Sequence, residues 1–437
     1  MADRVLESRM SAPTTLEDFG RVRIGIHQVE YSVGVDIPVI HIFGRDVTGR
    51  AVRVDVTGFR PYFYAPASQV DEKHVPPEVD LEPGTTYRSI QGEALRRLYT
   101  RRPGDVRDVR DRYQHFEADI PFATRFMIDC GLRAGMELPA GTTVIDYREL
   151  APSEIAAPAR TCIMDIECVD EQGFPEPERD PIVCVTCWDS FDGDYTTLLW
   201  QPGGVPGDAP VDDPGLRIHE QHRVIRYPDE VAMLRGLVGY IRERDPDILS
   251  GWNFVEFDIP YILQRMAALG LRGEDLARLP GQTTRNAVRG RSIFDLLGAY
   301  RKMHQAQKES YRLDAVAEDE LGETKVRYSG TITELWRSDP ARLVAYNCRD
   351  VELCVGIDKK NNIIEFYREI ARYVGCPLDR TLNSSNVIDI YVLRKASGMF
   401  VLPSKGFSAG DEFEGATVFE PATGLRENVV VLDLKSL

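Results

Sequence analysis

Two acids, Asp165 and Glu167, stand two residues apart in the apolar run Thr161-Cys-Ile-Met-Asp-Ile-Glu-Cys168. Such a run reads as a buried strand, whose side chains alternate between faces, so both carboxylates leave on the same one. Carboxylates projecting together from an apolar strand are costly unless something neutralises them, and divalent cations do so through oxygen ligands. A lone pair of this kind could equally be salt-bridged at a rim. Two further elements change that balance. In Trp252-Asn-Phe-Val-Glu-Phe-Asp-Ile-Pro260, Asn253 is expected to end a strand and Asp258 to stand where a helix begins, with Pro260 just inside it. A helix cap would require only the acid. In Tyr346-Asn-Cys-Arg-Asp350 the phenol and the carboxylate, at i and i+4, share one helix face. Together Asp165, Glu167, Asp258 and Asp350 could hold two Mg²⁺ or Mn²⁺ ions and support in-line attack of water on a phosphodiester. Tyr346 would orient that water and Asn253 would steady the substrate.

Positioning these acids requires a layered scaffold. With 437 residues, the chain exceeds one ordinary core, and two or three domains are expected. Residues 22 to 64 read as strands: Val22–His27, Pro38–Phe43 and Ala51–Val56, separated by Gly and Asp turns. From Arg160 onward strands alternate with helices. Strands are expected at Thr161–Cys168, Pro181–Trp188, Thr196–Trp200, Ile248–Gly251 and Ser292–Leu296. Helices are expected at Asp229–Arg244, from Asp258 to about Leu269, from near Tyr311, and through one long stretch from Asp339 to Tyr373. That order points to an α/β layered domain. An apolar helix, Val387–Lys395, and a strand, Asn428–Leu434, complete the pattern.

Composition narrows the partners. A net charge of −16 argues against a protein that simply coats nucleic acid. Of 53 basic residues only 9 are lysine, a bias produced by a GC-rich genome or by a salt-loving host. The stretch Arg96-Arg-Leu-Tyr-Thr-Arg-Arg102 is either a solvated face or a nucleic-acid contact. Cys184 and Cys187 form a C-x-x-C in an apolar run without nearby histidines, and read as small hydrophobes in a buried strand rather than a zinc or redox pair. Eight scattered cysteines suit a reducing cytoplasm. No apolar run is long enough to span a bilayer, and residues 1–20 resemble a flexible extension, not a secretory signal.

The motifs Asp165-Ile-Glu167, Asn253-x3-Phe-Asp258 and Tyr346-x3-Asp350 resemble the Exo I, Exo II and Exo III motifs of family B DNA polymerases, and Gly290–Leu296 and Ser310–Val316 look like stretches typical of the same family. The resemblance implies a ribonuclease-H-like 3′→5′ exonuclease domain joined to a β-rich N-terminal domain and the start of a polymerase palm. It implies domains at 21–155 (template-reading), 156–360 (exonuclease), 361–403 (a helical connection packing on the N-terminal domain) and 404–437 (palm). Asp165 would bridge the two metals, completed by Glu167, Asp258 and Asp350, and Asn253 and Phe257 would contact the substrate. Phe59-Arg-Pro-Tyr-Phe-Tyr64 and Asp119-Ile-Pro-Phe-Ala-Thr-Arg-Phe126 resemble the N-terminal domain of archaeal members, in which a pocket recognises template uracil. By that match Tyr31, Pro61, Phe122 and Arg125 fall on pocket positions, although an aromatic cluster for domain packing would use the same residues. Phe413-Glu-Gly-Ala416 resembles the YxGG/A connecting element, with Phe in the tyrosine position. Asp433-Leu-Lys-Ser-Leu437 resembles the opening of polymerase motif A, which makes Asp433 a metal ligand by resemblance. The chain is thus expected to bind single-stranded 3′ ends and template DNA, to proofread, and not to polymerise alone. A sliding clamp would be engaged through a part lying beyond this chain. The other readings are a self-standing exonuclease and a catalytically silent module that senses template bases or docks a partner.

Overall fold

The computed structural model describes residues 20–34, 37–201, 209–281, 288–304, 308–405, 424–425 and 427–430. Three sheets organise them. The first has six strands in the order Ala151–Ser153, Gly135–Pro139, Arg21–Val33, Pro38–Arg45, Ala51–Thr57 and Val144–Asp146. Its second to fifth strands pair antiparallel, and the alternation of Ile24, Ile40, Ile42, Val54 and Val56 supplies a fully buried face. A smaller sheet pairs Tyr62–Pro66 and Val79–Leu81 with Ala94–Thr100, the strand that carries much of the Arg-rich stretch. Arg97 is not a surface cation there: its guanidinium lies 4.6 Å from the ring centre of Tyr62 and 4.4 Å from that of Tyr87, with Tyr64 and Tyr99 close behind.

The third sheet is the scaffold of the acids. Its seven strands run Val211–Asp212, His222–Tyr227, Tyr195–Trp200, Ile182–Asp189, Thr161–Cys168, Ile248–Gly251 and Ser292–Asp295. Thr161–Cys168 pairs antiparallel with Ile182–Asp189 on one side and parallel with Ile248–Gly251 on the other. Cys184 and Cys187 are buried in that antiparallel neighbour as free thiols. The helix Glu230–Arg244 packs against the sheet, started by the Asp229 side chain, which accepts from the Ala232 N–H at 2.7 Å. The helix Pro340–Asn361 also packs against the sheet, capped by Asp339 and begun by Pro340 at its first position.

The expected Asp339–Tyr373 helix is two helices. Asn362 adopts a left-handed φ of 51°, ends the first, and starts Ile363–Val374. The helix expected from Tyr311 begins at Leu313. Asn428–Val430 of the last expected strand are not in a strand, and the remainder of that segment, with Phe413–Ala416 and Asp433, lies outside the described residues. No described helix is long and apolar enough to cross a membrane.

The first and third sheets meet at a buried ionic seam. Asp247, fully buried, accepts from Arg45 Nε at 2.5 Å, Arg278 Nη2 at 2.9 Å and the Arg160 backbone N–H at 2.8 Å. Asp245 accepts from Arg278 Nε at 2.7 Å and Arg291 Nη1 at 2.8 Å. Burial opposes the Asp247 charge, but His27, Arg278 and Arg45 outweigh it and hold that carboxyl at about 2. Glu30 adds a second tie by accepting from Arg289 Nε at 2.9 Å. Farther along, Arg394 of the helix Ser384–Ala396 donates to the Leu132 carbonyl at 2.6 Å, just beyond the helix Phe122–Asp129.

Candidate active site

The central strand Thr161–Cys168 delivers Asp165 and Glu167 to one face, and the helix Pro340–Asn361 crosses that face and brings Asp350 to them. One ligand oxygen from each of Asp165, Glu167 and Asp350 lies within 4.8 Å of the others. Asp258, in the first turn of the helix Asp258–Ala268, sits outside that trio. One of its oxygens accepts from the Ile166 N–H at 3.2 Å, so the fourth acid is held against the same strand between the first two. Asp165 is therefore the acid that interacts with both Asp258 and Asp350.

All four carboxyls are driven toward the neutral form. Burial pushes Asp165 up to about 7, with Asp350 adding to it and Lys325 and Asn347 opposing. Burial followed by the charge of Asp165 raises Glu167 and Asp258 well above the usual carboxylate range. Burial raises Asp350 as well, despite Lys325 and Tyr346. Its Oδ1 is buried with no hydrogen-bond partner. An orphaned carboxylate oxygen among like charges is what a divalent cation satisfies, so the residues present fit the expected Mg²⁺ or Mn²⁺.

Two residues that the motif reading passed over complete the trio. Lys325, between two helices, donates to Asp350 Oδ2 at 2.5 Å and lies 3.3 Å from the Tyr346 hydroxyl. Burial acts to lower its pKa, but Asp350, Tyr346 and Asp165 outweigh that and raise it. Asn347, fully buried beside Tyr346, donates from Nδ2 to Asp165 Oδ2 at 2.7 Å. Tyr346 packs edge-on against Tyr328 at 5.0 Å, and burial together with Asp350 and Glu167 raises its phenol.

The second motif owes its shape to Gly251. A Cβ there would stand 2.5 Å from the Met164 carbonyl, so only glycine lets this strand approach the central one. The strand ends at Gly251, and Asn253, expected at its end, lies two residues on with a left-handed φ of 60°. Asn253 lines a cleft of ≈ 650 Å³ that also holds Asp165, Lys325, Tyr346 and Arg301. Phe257 does not line it. Its half-buried ring meets the exposed Phe174 edge-on at 5.8 Å and the buried Tyr261 at 5.5 Å, at the border of the core.

A second cleft, of ≈ 1200 Å³, runs between the N-terminal region and the third sheet, and Asn253, Leu297 and Arg301 line both. Tyr31 and Phe122 border it in edge-to-face contact at 5.2 Å. Arg125 faces elsewhere: it is buried, donates to Glu117 Oε2 at 2.5 Å, and stands 4.9 Å from the Tyr62 ring. Pro61 is buried and gives its carbonyl to the Thr100 N–H. Of the four positions aligned with a base pocket, Tyr31 and Phe122 thus border one cleft and Arg125 another.

Residues 113–316 match the family model for DNA polymerase family B, exonuclease domain. This segment is similar to the family B exonuclease domain. The chain is 29% identical to DNA polymerase 1 of Pyrococcus abyssi over 92% of its own length and 51% of that protein. It is 31% identical to the DNA polymerase delta catalytic subunit of Oryza sativa subsp. japonica, over 74% of itself and 33% of that subunit. The solved family B DNA polymerase of Pyrobaculum calidifontis superposes with a TM-score of 0.71 at 26% identity, covering 92% of this chain and 54% of that one. The chain thus spans between a third and about half of these relatives. The matched segment contains three of the four acids, and the similarity to whole polymerases extends beyond it on both sides.

Proposed function

We propose that this chain removes nucleotides from single-stranded 3′ ends of DNA, as the proofreading portion of a family B DNA polymerase acting in replication. The observation that carries the reading is the close-set trio Asp165, Glu167 and Asp350 beside Asp258, with Asp350 Oδ1 unpartnered. These four acids would hold two Mg²⁺ or Mn²⁺ ions, which when bound supply an activated water and charge stabilisation at the leaving 3′ oxygen. Asn347 fixes the orientation of Asp165, and the Tyr346 hydroxyl is placed to orient the attacking water. The Lys325 ammonium stabilises negative charge that grows on the phosphoryl oxygens. Asn253 and Arg301, at the junction of the two clefts, guide the strand end inward, and the exposed Tyr31, backed by Phe122, offers a stacking face along the way.

The test uses purified full chain, Mg²⁺ and a 3′-labelled single strand. Degradation is expected in the parent, and Asp165→Ala combined with Glu167→Ala should abolish it with an unchanged circular dichroism spectrum. Metal-dependent degradation that persists in the double variant would overturn the assignment.

A further inference from the structure

We propose that His219, Cys348 and Glu352 form a separate cation site, suited to Zn²⁺ and chemically similar ions, on the side of the Pro340–Asn361 helix turned away from Asp350. One ligand atom from each lies within 4.8 Å of the other two, and His219 Nε2 is 3.4 Å from Glu352 Oε1. Cys348 and Glu352 are one helical turn apart, so they present sulfur and oxygen on one face. Cys348 and Asp350 are only two residues apart, which separates them by about 200° around the helix. The two sites therefore share a helix and no ligand.

The donor chemistry distinguishes them. The exonuclease acids offer oxygen alone, which suits Mg²⁺ or Mn²⁺. A thiol, an imidazole and a carboxylate select a softer, tetrahedral ion. Binding breaks the S–H bond of Cys348, releases its proton to solvent and leaves the sulfur as a thiolate ligand. Three protein donors leave a fourth position for water. The surroundings hold the donors in place. Arg349 Nη1 donates to the other Glu352 oxygen at 3.0 Å, leaving Oε1 to face His219. The Tyr195 ring packs edge-on against His219 at 5.2 Å. The neighbouring His222 is committed to Thr197 Oγ1 at 2.8 Å and the Ile218 N–H at 3.1 Å, so it orders the loop rather than serving as a donor. Partner groups of this kind fix ligand orientation around protein-bound metals. His219 and Glu352 are partly exposed, which gives an ion a way in, while Cys348 is fully buried. A plain His219–Glu352 ion pair would make no use of that thiol.

The measurement is a Co²⁺ titration of metal-free full chain in the Asp165→Ala, Glu167→Ala background, which removes the oxygen-only site. One equivalent should bind and give an ultraviolet thiolate-to-cobalt charge-transfer band that Zn²⁺ displaces. Cys348→Ser should abolish the band. His219→Ala and Glu352→Gln, at partly exposed positions that spare the buried packing, should each weaken Co²⁺ by roughly 100-fold. Absence of the band from the starting protein, a band that survives Cys348→Ser, or unchanged Co²⁺ affinity in both His219→Ala and Glu352→Gln would overturn the proposal.

Discussion

Two sets of largely buried acids lie along the same sheet and behave in opposite ways. At the seam, Asp245 and Asp247 are matched by Arg45, Arg278 and Arg291, and Asp247 is held at about 2. On the central strand, Asp165, Glu167, Asp258 and Asp350 share the single ammonium of Lys325 among the interactions described, and every one is pushed upward. Burial is common to both, so burial does not mark the functional set. The supply of counter-charge does: the seam is complete within the protein, and the site is finished from outside. In a chain of net charge −16 with 53 basic residues, withholding arginine from one acid cluster is a specific feature of the sequence.

The largest effect expected from breaking this contrast is at the site. Asp165→Asn should reduce exonuclease turnover to background yet raise the melting temperature of metal-free protein at neutral pH, because it removes a like charge from the trio. A fall in melting temperature would show that the trio is balanced internally. At the seam the same kind of change acts oppositely. Asp247→Ala leaves buried arginines without their partner and should cost about 3–5 kcal/mol in urea unfolding. Next comes Lys325→Ala, expected to slow turnover about 100-fold and to lower metal-free stability, since it removes the ammonium paired with Asp350. Smallest is a pH effect. A folded-state carboxyl at about 7 for Asp165, against 3.8 unfolded, means that the folded chain binds the extra proton between those values. Metal-free stability should then decline as pH rises from 4 toward 7, and saturating Mg²⁺ should flatten that decline. Equal slopes with and without Mg²⁺ in thermal melts would contradict the counter-charge argument.

Much of this was legible in the amino acids. Strand alternation put Asp165 and Glu167 on one face, and helical spacing put Tyr346 with Asp350, because both periods are local. The central strands and the helices Glu230–Arg244 and Asp258–Ala268 were readable for the same reason. What escaped was set by packing across long separations. Lys325 meets Asp350, and Asn347 turns toward Asp165, only when the helix crosses the sheet. Phe257 sits in a motif with its half-buried ring between Phe174 and Tyr261, a placement its position in the sequence does not reveal. Asn362 gave a local hint, an asparagine pair after Lys359-Lys360, that its helix ends there in a left-handed cap. Within the Arg-rich stretch, the place of Arg97 was hidden because its neighbours on the adjacent strand, Tyr62 and Tyr64, lie about thirty residues earlier and enclose it between rings, while Arg101 and Arg102 stay exposed.

The Lys325–Asp350 contact has one further consequence, and it concerns affinity. An ammonium on Asp350 Oδ2 and an incoming ion on Oδ1 would share one carboxylate, so each would meet the other's positive charge. The strength with which Mn²⁺ is held would then be measured net of that repulsion. Lys325→Ala, the variant expected to turn over slowly, should for that reason bind Mn²⁺ more tightly than the parent, separating occupancy from speed at one side chain.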